Sequence, residues 1–134
     1  MGEPKPAPSV GVGMPALLKL ELFAGLVHDA FGEWPYLVGS AALGKVWRDV
    51  DVRVMLGPEE WQRFCGNSTQ KPERLNRQWT AFCLAFSELG RSMTGLPVDF
   101  QLQERDEANR LWPNEVRMPL IATGVWEPAV VSAP

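Results

Sequence analysis

The 134-residue sequence is poor in the residues that most often build hydrolytic and transition-metal sites, with a single histidine and only two cysteines. His28 lies in a helix-forming segment far from any candidate nucleophile, which argues against a serine or cysteine hydrolase and against a histidine-rich metal site. Cys65 and Cys83 lack CxxC spacing. We expect free thiols in a reducing compartment, with one disulfide as the alternative.

The sequence also lacks a long apolar run and an excess of positive charge. No stretch approaches the roughly 20 apolar residues of a membrane-spanning helix, and the N-terminus lacks the apolar core of a signal peptide. The net charge of −3 and the pI near 5.2 argue against broad attraction to long nucleic acid. With 46% apolar and 22% charged residues, we expect an ordinary soluble, cytoplasmic protein without a membrane partner.

The length predicts one domain, residues 15–126, between a flexible N-terminal tail, 1–14, and a C-terminal tail, 127–134. Apolar spacing of three and four, alternation, and Gly or Pro breaks place the elements along it. Helices are expected at 16–31, 40–44, 59–64, 72–89 and 104–110, and strands at 36–38, 49–56, 97–103 and 118–125. The predicted fold class is α/β (α+β), a small mixed β-sheet flanked by helices.

Two of the predicted strands carry acidic residues on their polar face. Asp49, Asp51 and Arg53 share one parity of the first strand, while valines occupy the other. Asp99 occupies the polar parity of the second strand, so it joins the pair if both strands share a sheet. Carboxylates this close repel each other unless a cation or a proton lies between them, and Mg²⁺ prefers such oxygen ligands. The alternative is a solvated sheet face that happens to be acidic.

A glycine loop, GSAALGKV, precedes the first acidic strand. It matches the phosphate-binding P-loop at Gly39, Gly44 and Lys45, but Val46 stands where the magnesium-binding hydroxyl is needed. Asp49 also begins a strand too soon for the long helix of a P-loop. The favoured interpretation therefore uses only Gly39 and the following serine, as a turn that a polyphosphate can approach closely.

Gly39-Ser40, eight residues, Asp49-Val50-Asp51 and a further aspartate resemble the polymerase-β-like nucleotidyltransferase superfamily. The resemblance is close over residues 36–56 and looser up to residue 102. It implies a nucleotidyltransferase-like fold in which the Gly-Ser turn holds the β- and γ-phosphates. It also implies that Asp49 and Asp51 bind two Mg²⁺ ions, with Mn²⁺ as a possible substitute, and that Asp99 completes one metal site and helps activate the acceptor hydroxyl. The loop after Ser40 is shorter than in many members, and no appended helical domain follows, as in minimal members.

The resemblance implies a metal-dependent nucleotidyltransferase that moves an NMP group from an NTP to an acceptor hydroxyl and releases pyrophosphate. Three kinds of acceptor agree with the sequence: a small molecule, a protein and an RNA end. The negative net charge favours the first two. Lys45, Arg48 and Arg53 are expected to contact phosphate, although Arg53 could equally pair with an acidic neighbour. Gln101 and Gln103 would line the acceptor side, or simply be solvated.

The rival expectation is a catalytically inactive nucleotide- or partner-binding module of the same fold, antitoxin-like or regulatory. Minimal members of the superfamily commonly work beside a separate helical protein partner. Trp61 or Trp112, if exposed, would mark such a contact. Trp47 could stack on a nucleobase, although a role in the core or in a lid is the stronger expectation.

Overall fold

The computed structural model describes residues 12–44, 48–66 and 71–121, which form a four-stranded mixed sheet with helices packed against it. The strands are β1 (Tyr36–Val38), β2 (Val50–Leu56), β3 (Val98–Glu104) and β4 (Met118–Pro119). The helices are α1 (Ala16–Phe31), α2 (Ser40–Leu43), α3 (Pro58–Cys65), α4 (Arg77–Thr94) and α5 (Arg105–Leu111), with a 3₁₀ turn at Glu73–Leu75. The strand order is β3-β2-β1-β4. This confirms the predicted fold class.

The sheet is mixed because its central strands pair in different directions. β2 runs parallel to β3, whereas β1 runs antiparallel to both β2 and β4. A parallel pair needs a long crossover, and α3, the 3₁₀ turn and α4 together provide it. The parallel register aligns Asp51 with Asp99, so the acidic positions of the two strands become neighbours.

The core lies between the sheet and the two long helices. Alternate residues of β2 and β3 are fully or almost fully buried, and Phe100 of β3 is surrounded by aromatic rings from both helices. The ring of Phe100 lies 5.9 Å from that of Phe31 and 5.4 Å from that of Phe86, measured between centroids. Because side chains alternate along a strand, burying this set leaves the acidic set on the opposite face. The period-two pattern predicted this division.

The predicted helix at 72–89 is wrong at both ends. The segment begins with the 3₁₀ turn, and α4 starts only after Asn76, whose side chain accepts a hydrogen bond from the N–H of Trp79 at 3.0 Å. The helix then continues through Gly90, which the sequence suggested as its end, and stops at Gly95 in the left-handed region (φ 75°). Gly90 is buried within the helix. Glycine is needed at this position because a Cβ atom there would lie 2.9 Å from Cγ1 of Val98.

Other predicted boundaries fall within one or two residues of the observed ones, with two differences. Val12, which the sequence places in the N-terminal tail, is buried in the core. The last strand ends at Pro119, and residues 122–125 of its predicted range lie outside the described part of the chain. Trp61 is partly buried against the core rather than fully exposed, and its contact with a partner stays a prediction. Among the described residues, no helix is long and apolar enough for a membrane span.

The free edge of β3 is covered by α4. The indole N–H of Trp79 donates to the main-chain oxygen of Leu102 at 2.8 Å, and the hydroxyl of Ser87 accepts from the N–H of Phe100 at 2.8 Å. An uncovered edge strand would expose these groups to pairing with another chain. The side chains of α4 therefore protect this edge.

We predict that Gly90→Ala destabilises the protein by about 1–3 kcal/mol, because overpacking a filled core costs more than the gain in helix propensity. The added methyl would meet Val98 and the ring of Phe23. Urea denaturation measures the change in the free energy of unfolding. Gly13→Ala is the control, since a Cβ there meets nothing within 4 Å. A neutral Gly90→Ala variant would contradict the packing described for α4.

We predict that neither thiol reacts readily in the folded protein. Cys65 and Cys83 are free and buried, and burial raises their pKa to about 11 and about 12. The thiolate is the reactive form, so a raised pKa slows reaction at pH 8. Labelling with a chromogenic disulfide reagent should be slow in buffer and complete within minutes in denaturant. Rapid labelling of both thiols without denaturant would contradict this burial.

Candidate functional site

Three carboxylates meet on the polar face of the sheet. Asp51 and Asp99 are aligned neighbours on β2 and β3, and Asp49 lies immediately before β2. One carboxylate oxygen of each residue lies within 4.8 Å of the other two. The structure therefore brings together the three aspartates that strand alternation selects from the sequence.

The glycine turn lies beside these carboxylates. β1 pairs with β2 so that Val38 is opposite Asp51, which places the next residue, Gly39, next to the aspartate. Gly39 has φ 73° and ψ −157°, and a Cβ atom on it would lie 2.5 Å from Oδ2 of Asp51. Both the left-handed backbone and the close approach require glycine. The turn and the carboxylates thus form one continuous site.

Ser40 follows the turn as the first residue of α2, and its side chain is exposed. α2 has only four residues and ends before Gly44, and β2 begins at Val50. A P-loop needs a long helix directly after its lysine, and β2 begins only five residues after Lys45, which leaves no room for that helix. The geometry therefore agrees with the Gly-Ser turn and not with the P-loop alternative.

Arg53 is anchored to the main chain beside two of the carboxylates. Its Nη1 donates to the main-chain oxygens of Asp99 at 2.7 Å and Val52 at 3.2 Å. Its Nη2 lies 3.8 Å from Oδ1 of Asp51 and 3.7 Å from Oδ2 of Asp99, farther than a hydrogen bond. With its side chain only 12% exposed, Arg53 provides a fixed counter-charge and leaves the carboxylate oxygens free. This geometry matches the pairing alternative, and the phosphate contact expected for Arg53 stays a prediction.

Arg53 does not fully compensate the negative charge of the three carboxylates. Burial raises the pKa of Asp51 above its ordinary value, and Arg53 acts in the opposite direction. Asp99, Asp49 and Glu115 raise that pKa further through charge repulsion. The ionised cluster is therefore costly at neutral pH, and an additional cation would stabilise it. Carboxylates are hard oxygen ligands, so the donor set fits Mg²⁺ or Mn²⁺.

The remaining residues fall into three groups. Arg48 is exposed one position before Asp49, where a phosphate could reach it. Lys45 and Trp47 lie outside the described residues. Glu115 was not among the residues selected from the sequence. Its charge raises the pKa of Asp51, and it forms an ion pair with Arg117 at 3.0 Å. No sequence signal marks it, because it lies in the loop between α5 and β4, far from Asp51 along the chain.

No family model, curated protein or solved structure matches the chain. Functional inference therefore depends on the residues and geometry of this site.

We predict that Arg53→Met lowers the free energy of unfolding in EDTA by about 1.5–3 kcal/mol, since the variant loses charge-assisted hydrogen bonds and the counter-charge of the cluster. Added Mg²⁺ should recover part of this loss and should stabilise the variant more than the wild type. Thermal unfolding in EDTA and in Mg²⁺ measures both effects.

Arg91→Met is the matched control, because the ion pair of Arg91 with Glu88 on α4 is exposed and such pairs contribute little. Equal melting temperatures for the two variants in EDTA would show that Arg53 does not compensate the negative charge of the three aspartates.

Proposed function

We propose that the protein is a metal-dependent nucleotidyltransferase that moves an NMP group from an NTP to an acceptor hydroxyl and releases pyrophosphate. The observation that carries the proposal is the convergence of Asp49, Asp51 and Asp99 beside the close-approach glycine, Gly39. A carboxylate cluster alone is common on protein surfaces. A cluster in contact with a glycine turn, in the order seen in the polymerase-β-like superfamily, supports a shared site for a cation and a polyphosphate.

Each residue of the site has a distinct role in this proposal. Gly39 lets the polyphosphate approach the main chain, and the exposed Ser40 offers a hydroxyl donor to its oxygens. Asp49, Asp51 and Asp99 hold Mg²⁺, which when bound neutralises phosphate charge and lowers the pKa of the acceptor hydroxyl. Arg53, anchored to the main-chain oxygen of Asp99, supplies a fixed counter-charge beside Asp51 and Asp99. Catalysis would come from positioning and charge rather than from a separate base.

A partner-binding module remains a second candidate because α1 exposes an apolar stripe. Leu18, Leu22 and Leu26 follow one another at four-residue spacing and are 50%, 59% and 46% exposed. Residues four apart share one face of a helix, so these side chains form a continuous strip. Trp112, 46% exposed, is a further apolar contact. A protein that binds nucleotide and a partner without transfer would use the same site and this strip.

The test combines nucleotide binding with transfer. Thermal shifts with ATP, GTP, CTP and UTP, each with and without Mg²⁺, identify the nucleotide. The α-labelled nucleotide is then incubated with protein and small-molecule fractions of a cell extract. Metal-dependent labelling of an acceptor is the expected result. Metal-dependent binding with no labelled acceptor in any fraction would favour the module.

We predict that Asp51→Asn abolishes metal-dependent transfer and raises the melting temperature at pH 7 without metal. Because the pKa of Asp51 is raised in the folded state, the unfolded chain loses this proton first as pH rises, so ionisation destabilises the folded state above the ordinary pKa. The stabilisation of the variant should therefore disappear when the pH falls below the ordinary pKa of an aspartate. Thermal unfolding across acidic and neutral pH measures the difference.

Asp29→Asn is the control, since Asp29 is an exposed carboxylate on α1. The proposal fails if Asp51→Asn retains the transfer rate of the wild type.

A further inference from the structure

The apolar strip of α1 differs from the other exposed leucines of the described chain. Several of those are single residues on separate elements, as are Leu43, Leu75 and Leu84. Single exposed leucines are normal on a protein surface, whereas a continuous row marks a contact surface. Met14, 68% exposed and four residues before Leu18, lengthens the row. The strip is therefore a candidate interface.

The strip faces away from the core and from the carboxylate site. Phe23 and Phe31, on the opposite side of α1, pack against Phe100 with ring centroids 6.3 Å and 5.9 Å away. Phe100 lies on the buried face of β3, whereas Asp99 lies on the other face. A partner on the strip would therefore leave the carboxylates and the glycine turn open.

The charges beside the strip are arranged against the preference of a single helix. Lys19 is exposed near the start of α1, and Asp29, with its side chain 77% exposed, lies near the end, 3.4 Å from the ring of His28. The helix dipole favours acidic residues near the start and basic residues near the end. Within the described part of the chain, the Lys19 ammonium forms no ion pair. Lys19 and Asp29 therefore gain little from α1 alone.

A second copy of α1 in antiparallel orientation accounts for both the leucines and the charges. If Leu22 faces Leu26 of the second copy, Lys19 faces its Asp29, because each charged residue lies three positions farther from the centre of the pair. The twofold axis repeats the same contacts, with Asp29 against Lys19 of the second copy. The central leucines cover each other, and each charge meets the opposite charge.

Other arrangements fit the strip less well. A parallel pair would place Lys19 beside Lys19 and Asp29 beside Asp29, so like charges would repel. A membrane surface would meet the acidic Asp29 without the row of Lys and Arg that attracts anionic lipids. The self-complementary pattern therefore favours a second copy of the chain.

The size of the strip sets the strength of the contact. α1 has 16 residues, which corresponds to about 24 Å of helix. Two helices of this length bury less than the roughly 800 Å² per partner of a standard interface. We therefore expect a reversible dimer with a Kd on the order of 100 µM rather than a permanent one.

We infer that the strip is a homodimer interface in which two α1 helices pack antiparallel about a twofold axis. Leu22 and Leu26 form its centre, and Lys19 pairs with Asp29 of the second copy at each end. This inference does not rest on the proposed nucleotidyl transfer, because the strip and the carboxylates lie on opposite sides of the sheet.

Sedimentation velocity of the full chain, at about 1 to 500 µM so as to bracket the expected Kd, should show a shift from monomer to dimer. Leu22→Gln should raise the Kd about tenfold or more, because each dimer loses two central leucines. Leu84→Gln is the matched control, since Leu84 is 67% exposed on another helix, α4. Thermal unfolding followed by circular dichroism verifies that both variants fold.

Exchange of the two charges tests the orientation of the helices. Lys19→Glu and Asp29→Lys should each raise the Kd about fivefold, because each change places like charges together at both ends of the interface. The double variant restores opposite charges and should return the Kd to within about twofold of the wild type. Both residues are exposed, so the fold should be retained.

A monomer at every concentration would overturn the inference and leave the strip to a different occupant. A dimer that Leu22→Gln leaves unchanged would overturn it as well, because the contact would then lie elsewhere. Single charge variants that associate as tightly as the wild type would overturn the antiparallel pairing.

Discussion

The repulsion among Asp49, Asp51 and Asp99 is the constraint around which this structure is organised. Parallel pairing of β2 with β3 forces Asp51 and Asp99 to be neighbours, and burial raises the cost of the charge on Asp51. The positive charge of Arg53 reduces this cost. Because its hydrogen bonds go to the main chain, the carboxylate oxygens of Asp51 and Asp99 stay free to bind a cation. A protein selected only for stability would have little reason to keep such a cluster, and this supports a functional role.

Much of the fold follows from local sequence patterns. The valines of β2 and the apolar residues of β3 alternate strictly, and this alternation predicted both the strands and the polar face that carries Asp51 and Asp99. α1 was predicted over its observed range, because its apolar spacing is regular and Gly32 ends it in the left-handed region. Gly90 was misread because its role depends on Val98, a tertiary neighbour that no local pattern indicates.

The site was less predictable than the fold. Gly39 and the aspartates could be selected from their spacing, but the contact between Gly39 and Asp51 depends on the register of β1 against β2. The anchoring of Arg53 and the effect of the Glu115 charge on Asp51 are long-range features, and neither residue has a distinctive local context.

The central claim is that the three carboxylates and the glycine turn form one site for a divalent cation and a polyphosphate. A crystal structure with Mn²⁺ and a non-hydrolysable NTP analogue tests it most directly. The account predicts anomalous density between Asp49, Asp51 and Asp99, with phosphate oxygens against the main chain of Gly39. Manganese and nucleotide bound elsewhere on the protein, with Arg53 and the carboxylates unchanged, would contradict it.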